Sequence, residues 1–424
     1  MTELYYDLSE QFFSSGVKFK YYGIARTVME VGYELAMTSD KARFVIFSPG
    51  HGQFLEVDPR VGSDSPTGLI DPGVMPSARP LRIRQTFPKP NVLRDVLHGP
   101  VTYFVNRRNL SRFGMEAGEA RPVNLDGKAL VSLGRPKLMS DFLRVLERRG
   151  QRPFFSPLLH DMIPLHTHLM GKNKKFPTKF VHDNSYIMNR SGMILSNSDF
   201  TKSEIEDFSG RGVLPLAPHV ECVPLCHELR ESIEPIQLQA PQEPYLLCVG
   251  SNVGRKNAEC AVNALKILQE RGAEIPKLVF AGAARKSLKD YVDRPELAGV
   301  RNRIEFVCNP NQAELRMLYE NALALVIPSK MEGWGLPLGE ALWLGTPGFA
   351  ASVPALHEVG RDLAKYFAPE RPVELADLTE QLMRDAAYRA WERDRIAAAR
   401  STLRTWRNVA QDMMYAVLDR HKYA

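Results

Sequence analysis

LALVIPSKMEGWGLPLGEALWLGTPGFAASVPALHEVG, Leu323–Gly360, holds a buried strand, a glycine-punctuated loop and a helix in one run. The apolar piece LALVIP is short and stops at Ser329 and Gly333, which favours a covered parallel strand over a helix. Gly333 and Gly335 let the backbone turn sharply and bring its N–H groups near a ligand. Pro337 stands near a first helical position and Gly345 at the end of LPLGEALWLG, the expected punctuation of a helix beginning around Leu336. A helix N-terminus behind a strand presents unpaired N–H groups and the positive end of the helix dipole, an arrangement that suits a phosphate. Glu332 precedes this helix and Glu340 lies about a turn inside it. Each carboxylate can accept from a vicinal diol, so Glu332 is placed for a sugar and Glu340 for a ribose. Two glutamates at this spacing mean little alone, because Glu is a common residue; the whole string carries the reading.

Outward from this string the chain alternates. From Pro244 it runs YLLCVG, the helical AECAVNALKILQERG, KLVFAG, a further helix, RIEFVC, the helical QAELRMLYENA and LALVIP. Strands alternating with helices of ten or more residues imply right-handed βαβ units and a parallel sheet. The first half follows a looser version of the rhythm. ELYYDLS precedes a helix over Ile24–Met37, then ARFVIFSP, VTYFV, a helix over Lys137–Arg149, FFSPLLHD, GMILSNS and HVECVPL. At 424 residues two domains are expected, parted near Glu228–Glu243, where the sequence is polar, proline-bearing and aperiodic. Arg384–His421 reads as long and helical, with Trp391 and Trp406 spaced along it.

SNVGRKN, Ser251–Asn257, follows the strand YLLCVG and opens a helix. Basic residues at a helix start oppose its dipole, so Arg255 and Lys256 invite a functional reading: a fork and a point charge for a pyrophosphate. LLHDMIPLHTH places His160 and Asp161 at the C-terminal end of an apolar strand, the edge where open parallel sheets bind ligands. His166 and His168 read as surface or packing residues. SNSDFTKSEIEDF reads as a strand end and a helix with Asp199 or Thr201 near its N-cap.

These strings resemble the retaining family 4 glycosyltransferases (group 1) of the GT-B fold. PSKMEGWGLPLGEALWLGTPG follows the family block nearly throughout, with Trp334 for the usual Phe and Gly348 for Val. GRKN resembles its G-x(3–5)-R-K-N, HDMIP its H-D followed by L-I-P, and YYGIAR its G-G-I-x-R loop with Tyr22 in place of the first glycine. The resemblance implies an α/β, GT-B architecture of two Rossmann-like domains with parallel sheets facing a central cleft. Residues 1–235 would form the acceptor-side domain and residues 236–405 the nucleotide-sugar-binding domain. Residues 406–424 would be a helix crossing back toward the first domain. Carried over residue by residue, Glu332, His160, Arg255 and Lys256 would serve catalysis. Gly23, Arg26, Asp161, Ser251, Gly333, Trp334, Gly335, Leu336 and Glu340 would bind the donor, with Ser198 near it. LYYDLSEQ, G-I-x-R and H-D-x-I-P together resemble the mannosyl- and rhamnosyltransferases of bacterial O-antigen, capsule or exopolysaccharide. The expected donor is a nucleotide sugar, GDP-mannose first and a dTDP- or UDP-sugar otherwise. The expected acceptor is a glycan or lipid-linked oligosaccharide, with no cofactor and no metal. An epimerase or phosphorylase of the same fold and a silent carbohydrate-binding partner are the competing classes.

Composition limits the rest. A net charge of +6 suits nucleotide phosphates or an anionic surface but falls short of a nucleic-acid binder. No apolar run is long enough to span a bilayer and MTELYYDLSEQ is no signal peptide, so a cytoplasmic protein is expected, peripheral on the inner membrane face through the basic GKNKKFPTKF, Gly171–Phe180. Five scattered cysteines read as reduced thiols, and the Cys222, Cys226, His227 cluster as ordinary buried thiols instead of a zinc site. SPGHGQF, Ser48–Phe54, contains G-x-G but lacks the third glycine and the following helix of a dinucleotide fingerprint, and no P-loop string exists.

Overall fold

The computed structural model describes residues 3–12, 23–65, 68–73, 92–110, 120–169, 171, 175–250, 253–283 and 286–423. It divides into two compact units, Met1–Pro224 with Trp406–Ala424, and Leu225–Thr405. The division falls at 224/225, upstream of the 235/236 expected.

The first unit is built on an eight-stranded sheet. Its strands are β1 Leu4–Asp7, β2 Ala42–Ser48, β3 Gln53–Val57, β4 Ala120–Pro122, β5 Ala129–Ser132, β6 Phe154–Leu159, β7 Ile194–Ser196 and β8 Val220–Cys222, in the order β8-β7-β6-β5-β1-β2-β3-β4. The strands from β8 to β2 are parallel. β3 and β4 pair antiparallel at one edge, so the sheet is mixed, not purely parallel. Every residue of β1 and β5 is buried, as strands covered on both faces require. The SPGHGQF string forms the turn from β2 into antiparallel β3, not the start of a nucleotide-binding helix.

Helices α1 Ile24–Thr38, α2 Val92–Asn109 and α3 Pro136–Arg148 belong to this unit. VTYFV, Val101–Val105, expected as a strand, lies inside α2. Its β-branched and aromatic residues favour strands only where a pleated neighbour receives them, and the helix here overrides that preference.

The second unit is a six-stranded, wholly parallel sheet. Strands β9 Tyr245–Val249, β10 Lys277–Gly282, β11 Ile304–Cys308, β12 Ala324–Ile327, β13 Gly348–Ala351 and β14 Lys365–Phe367 lie in the order β11-β10-β9-β12-β13-β14. The chain fills one side of β9 before moving to the other, so the order reverses between β9 and β12. Helices α4 Ala258–Glu270 after β9 and α6 Leu336–Trp343 after β12 open onto that point, and α5 Gln312–Asn321 leads from β11 into β12. Asn311 caps α5 in a full capping box with Glu314. Glu314 also accepts from the backbone of Gln237 and Leu238, which fastens the polar segment before β9 to this helix.

Arg384–His421 is helical as expected, in two helices: Ala386–Ala398, a short turn at Arg400–Thr402, and α7 Trp406–His421, which groups with the first unit. There α7 packs on α1, with Trp406 fully buried and Arg407 paired to Glu34 at 3.3 Å.

Candidate functional site

In an open parallel sheet, ligands bind outside the carboxyl ends of the strands where the order reverses. In the second unit that place is the gap between the ends of β9 and β12. A pocket there is lined by Gly250, Lys256, Pro328, Ser329, Glu332 and Pro337, and its enclosed volume is about 20 Å³, room for one water molecule.

The β9–α4 loop is shaped by left-handed backbone at Gly254 and at Asn257, φ 81° and 54°. A non-glycine residue pays for this conformation only if held, and Asn257 is held: its buried amide donates to the Pro328 carbonyl at 2.9 Å and the Pro369 carbonyl at 2.8 Å. Lys330 N–H donates to the Arg255 carbonyl at 2.8 Å. These bonds tie the loop after β9 to the loop after β12 and aim Arg255 and Lys256 at one carboxylate. Arg255 Nη1 donates to the Met331 carbonyl at 2.8 Å and to Glu332 Oε2 at 3.2 Å, and Lys256 Nζ donates to Glu332 Oε1 at 2.5 Å.

Glu332 is buried. Burial pushes its carboxyl up, but Lys256 and Arg255 together outweigh that and hold it below its ordinary range, with Ser329 adding a hydrogen bond. The site is thus a carboxylate clasped by two cations, at the positive end of a helix.

Gly335, φ 110°, turns the chain into α6; a Cβ there would also stand 2.4 Å from Leu356 Cδ2, so geometry and space both require glycine. Leu336 and Pro337 form the first turn. Glu340 lies deeper, buried, accepting from the Tyr319 hydroxyl at 2.6 Å. Tyr319 escaped the sequence reading, because nothing in QAELRMLYENA marks its hydroxyl as aimed at a helix two elements away. Trp334, expected beside the donor, is buried: its indole N–H donates to the Cys226 carbonyl at 3.3 Å and its ring meets His227 edge-on. Gly333 sits between Glu332 and this anchored indole. Ser251 lies outside the described residues.

The first unit has its own cluster at the ends of β1, β5 and β6. His160 Nε2–H donates to the Leu133 carbonyl at 2.8 Å, and burial lowers its pKa to about 4. It is therefore neutral at pH 7, with Nδ1 left as the acceptor. Asp161 accepts from Ile163 N–H at 3.0 Å and starts the next short helix. Gly23, φ 57°, opens α1. Arg26 is buried, paired to Glu30 at 3.7 Å with its guanidinium 5.9 Å over the Trp406 ring, so it serves the packing of α1 on α7. The helix Asp199–Gly210 is capped by Ser198, which accepts from Thr201 N–H at 2.9 Å, rather than by Asp199 or Thr201.

Sequence reasoning gave no role to Asp7, Glu10, Ser132 and Arg135, which gather at the same edge. Asp7 is buried and accepts from Ser9 N–H at 2.9 Å and the Ser132 hydroxyl at 2.7 Å. Burial raises its pKa despite these bonds. Glu10 accepts from Arg135 at 2.5 Å, and burial raises its pKa too. The available signal was a pair of acids, D-x-x-E, directly after a buried strand.

Among the described residues no group of His, Cys, Asp and Glu could hold a metal ion. Cys226 is buried, whereas Cys222 is only half-buried and Cys308 exposed. No described helix is long and apolar enough to cross a membrane.

Residues 230–400, almost the extent of the second unit, match the family described as glycosyl transferases group 1. An uncharacterized glycosyltransferase of Methanocaldococcus jannaschii is 29% identical over 174 residues, 40% of this chain and 43% of that protein. The O-antigen chain mannosyltransferase RfbU of Salmonella typhimurium is 30% identical over 131 residues, 30% of this chain and 35% of that protein. O-antigen chain mannosyltransferase B of Escherichia coli is 25% identical over 232 residues, 51% of this chain and 57% of its own. The chain thus spans between about a third and somewhat over half the length of these curated relatives. Two solved structures align along nearly all of both chains. Sucrose-phosphate synthase of Thermosynechococcus elongatus has a TM-score of 0.63 at 18% identity, covering 100% of this chain and 99% of that one. WaaG, a glycosyltransferase involved in lipopolysaccharide biosynthesis, has 0.56 at 15%, covering 98% and 99%. The chain therefore has the GT-B fold, and its residues 230–400 match the glycosyl transferases group 1 family.

Proposed function

We propose that this chain is a retaining, metal-independent glycosyltransferase that moves a sugar from a nucleoside-diphosphate donor to a glycan or lipid-linked acceptor in surface-polysaccharide synthesis. It would work in the cytoplasm, at the inner face of the membrane. The observation that carries the reading is the convergence of Arg255 and Lys256 on buried Glu332 where the strand order of the second sheet reverses.

Glu332 accepts from both cations. An incoming diphosphate exchanges partners with it: the phosphates take Arg255 and Lys256, and the released carboxylate accepts hydroxyls of the sugar. As the bond between the anomeric carbon and the diphosphate breaks, negative charge grows on the leaving oxygens. Fixed cations and the N–H groups at Leu336 stabilise it there without reorganising, the kind of contribution that usually dominates catalysis. The two side-chain cations supply the charge that a divalent metal supplies elsewhere. Glu340, held by Tyr319, is assigned to the ribose. Neutral His160 is assigned to a sugar hydroxyl, which its free Nδ1 can accept.

GDP-mannose is the donor of first choice, supported by the names of the mannosyltransferase relatives. A UDP-sugar is the second reading, favoured by the fold's likeness to Anabaena HepE, solved with UDP and glucose, at a TM-score of 0.58, 14% identity and coverage of 98% of this chain and 99% of that one. Thermal shifts with GDP-mannose, UDP-glucose and dTDP-rhamnose decide between them, because a ligand at a hundred times its Kd stabilises the fold by about 2.7 kcal/mol. A shift with GDP-mannose alone, followed by mannosyl transfer to a lipid-linked acceptor, is the expected result; no shift with any of the three overturns the reading.

A further inference from the structure

α2 is built inside out. Its outward residues Leu93, Val96, Leu97, Pro100, Phe104 and Arg107 follow one another at i, i+3, i+4, i+7, i+11 and i+14, a single stripe of an α-helix. Leu93, Val96, Tyr103 and Phe104 are each more than half exposed, and Leu97 is 45% exposed. Tyr103 and Phe104 stack edge to face at 5.8 Å, and Arg107 reaches Tyr103 Oη at 3.4 Å, so apolar rings and a cation share one surface. Two polar side chains, those of Thr102 and Asn106, are on the other side. Thr102 Oγ1 and Asn106 Oδ1 are shielded from solvent, and the Asn106 backbone lies against the turn after β2, close enough that a Cβ on Gly50 would stand 3.1 Å from its carbonyl. A helix that packs its polar side on its own protein and turns leucines and aromatics outward has the pattern of a binding face, not of a solvated one.

Charge identifies what that face meets. Residues 75–114, which contain α2, hold eight Lys and Arg and one acid, a net of +7, while the whole chain carries +6. The chain's entire positive excess is thus tethered to this helix and its immediate flanks. An apolar stripe set in a cationic segment is matched by an anionic bilayer surface: the apolar side chains enter the headgroup boundary and the cations meet the lipid phosphates. By contrast, the described part of the basic stretch expected to do this offers one exposed ring: Phe180 is buried in the core, and Phe176, 47% exposed, lies edge-on to His168 at 5.3 Å between the exposed Lys175 and Lys179.

We propose that the outward face of α2 is the surface by which this protein lies on an anionic lipid bilayer. The proposal deepens the membrane contact in the function proposed above, but does not depend on the donor or on sugar transfer.

The test is flotation of the purified chain with vesicles of phosphatidylglycerol and phosphatidylcholine in equal parts, and with phosphatidylcholine alone. Binding to the anionic vesicles at low salt, falling steeply as salt is added, is expected. Leu97→Asp and Phe104→Asp, both at exposed positions, should each weaken it at least tenfold, since each withdraws a large apolar side chain from the interface. Arg107→Glu should weaken it about tenfold. Lys175→Gln with Lys179→Gln should change it much less. Thermal unfolding of the variants should match the wild type, and titration of GDP should be unaltered in them, which separates this face from the donor site. Absence of vesicle binding at low salt overturns the proposal. So does binding that Leu97→Asp and Phe104→Asp leave intact, or a dimer in solution that these substitutions split while vesicle binding persists, which makes the face a contact between copies.

Discussion

In the proposed function Glu332 concentrates the chemistry in one side chain, and its two cationic partners make its behaviour predictable in sign. Glu332→Gln removes the charge that competes with a diphosphate for Arg255 and Lys256. Nucleoside diphosphate should therefore bind the variant as tightly as the wild type or a few-fold tighter, while the transfer rate falls by about a hundredfold or more because the sugar loses its acceptor. Calorimetric titration and initial rates on the same preparation check both halves, and a variant that binds weakly but turns over normally contradicts the assignment. The same residue sets a pH effect. Its folded pKa lies below its unfolded value, so its contribution to stability is present above the unfolded pKa and is lost as pH falls through the folded one. Glu332→Gln should flatten that acid limb in thermal unfolding. Asp7 has the opposite sign: burial raises its folded pKa, so ionising it at neutral pH costs stability. Asp7→Asn should be neutral or stabilising at pH 7 by the same assay, and a large loss there would mean that the charge itself is used.

The elements were legible where a sequence signal and a tertiary demand agreed. LALVIP, SKMEGWG and LPLGEALW became strand, loop and helix because burial, glycine geometry and the proline start all point one way. VTYFV went astray because its residues suit a sheet while the surrounding turns are helical. The break at Arg400–Thr405 within the helical Arg384–His421 has no glycine or proline to announce it. β13 and β14 are four and three residues long, too short for periodicity to register. The β9–α4 loop shows how much an element can hang on one residue. Asn257→Ala would leave the Pro328 and Pro369 carbonyls without their buried donor and put alanine in left-handed backbone. A loss of about 2 kcal/mol or more is expected from denaturant unfolding, together with weaker binding of nucleoside diphosphate as Arg255 and Lys256 lose their aim. Unchanged stability would show that the loop is held by something else.

At the scale of the molecule, the α/β class and the second sheet follow from the regular alternation after Pro244, and the glycine-punctuated string after LALVIP lies where the strand order reverses. The first unit was less legible. Its antiparallel edge, its Asp7–Ser132 and Glu10–Arg135 pairs, and the outward stripe of α2 all depend on contacts between residues far apart in sequence. The carboxylate clasp could not be read from spacing at all: Arg255 and Glu332 are brought together only by the pairing of β9 with β12.

That clasp is the central claim, and titration calorimetry of the Arg255→Ala, Lys256→Ala double variant tests it most directly. Two cations aimed at a pyrophosphate should make the variant lose at least a hundredfold in affinity for GDP, while guanosine, which carries no phosphate, binds both proteins alike. Equal losses for GDP and guanosine, or no loss for either, would contradict the account.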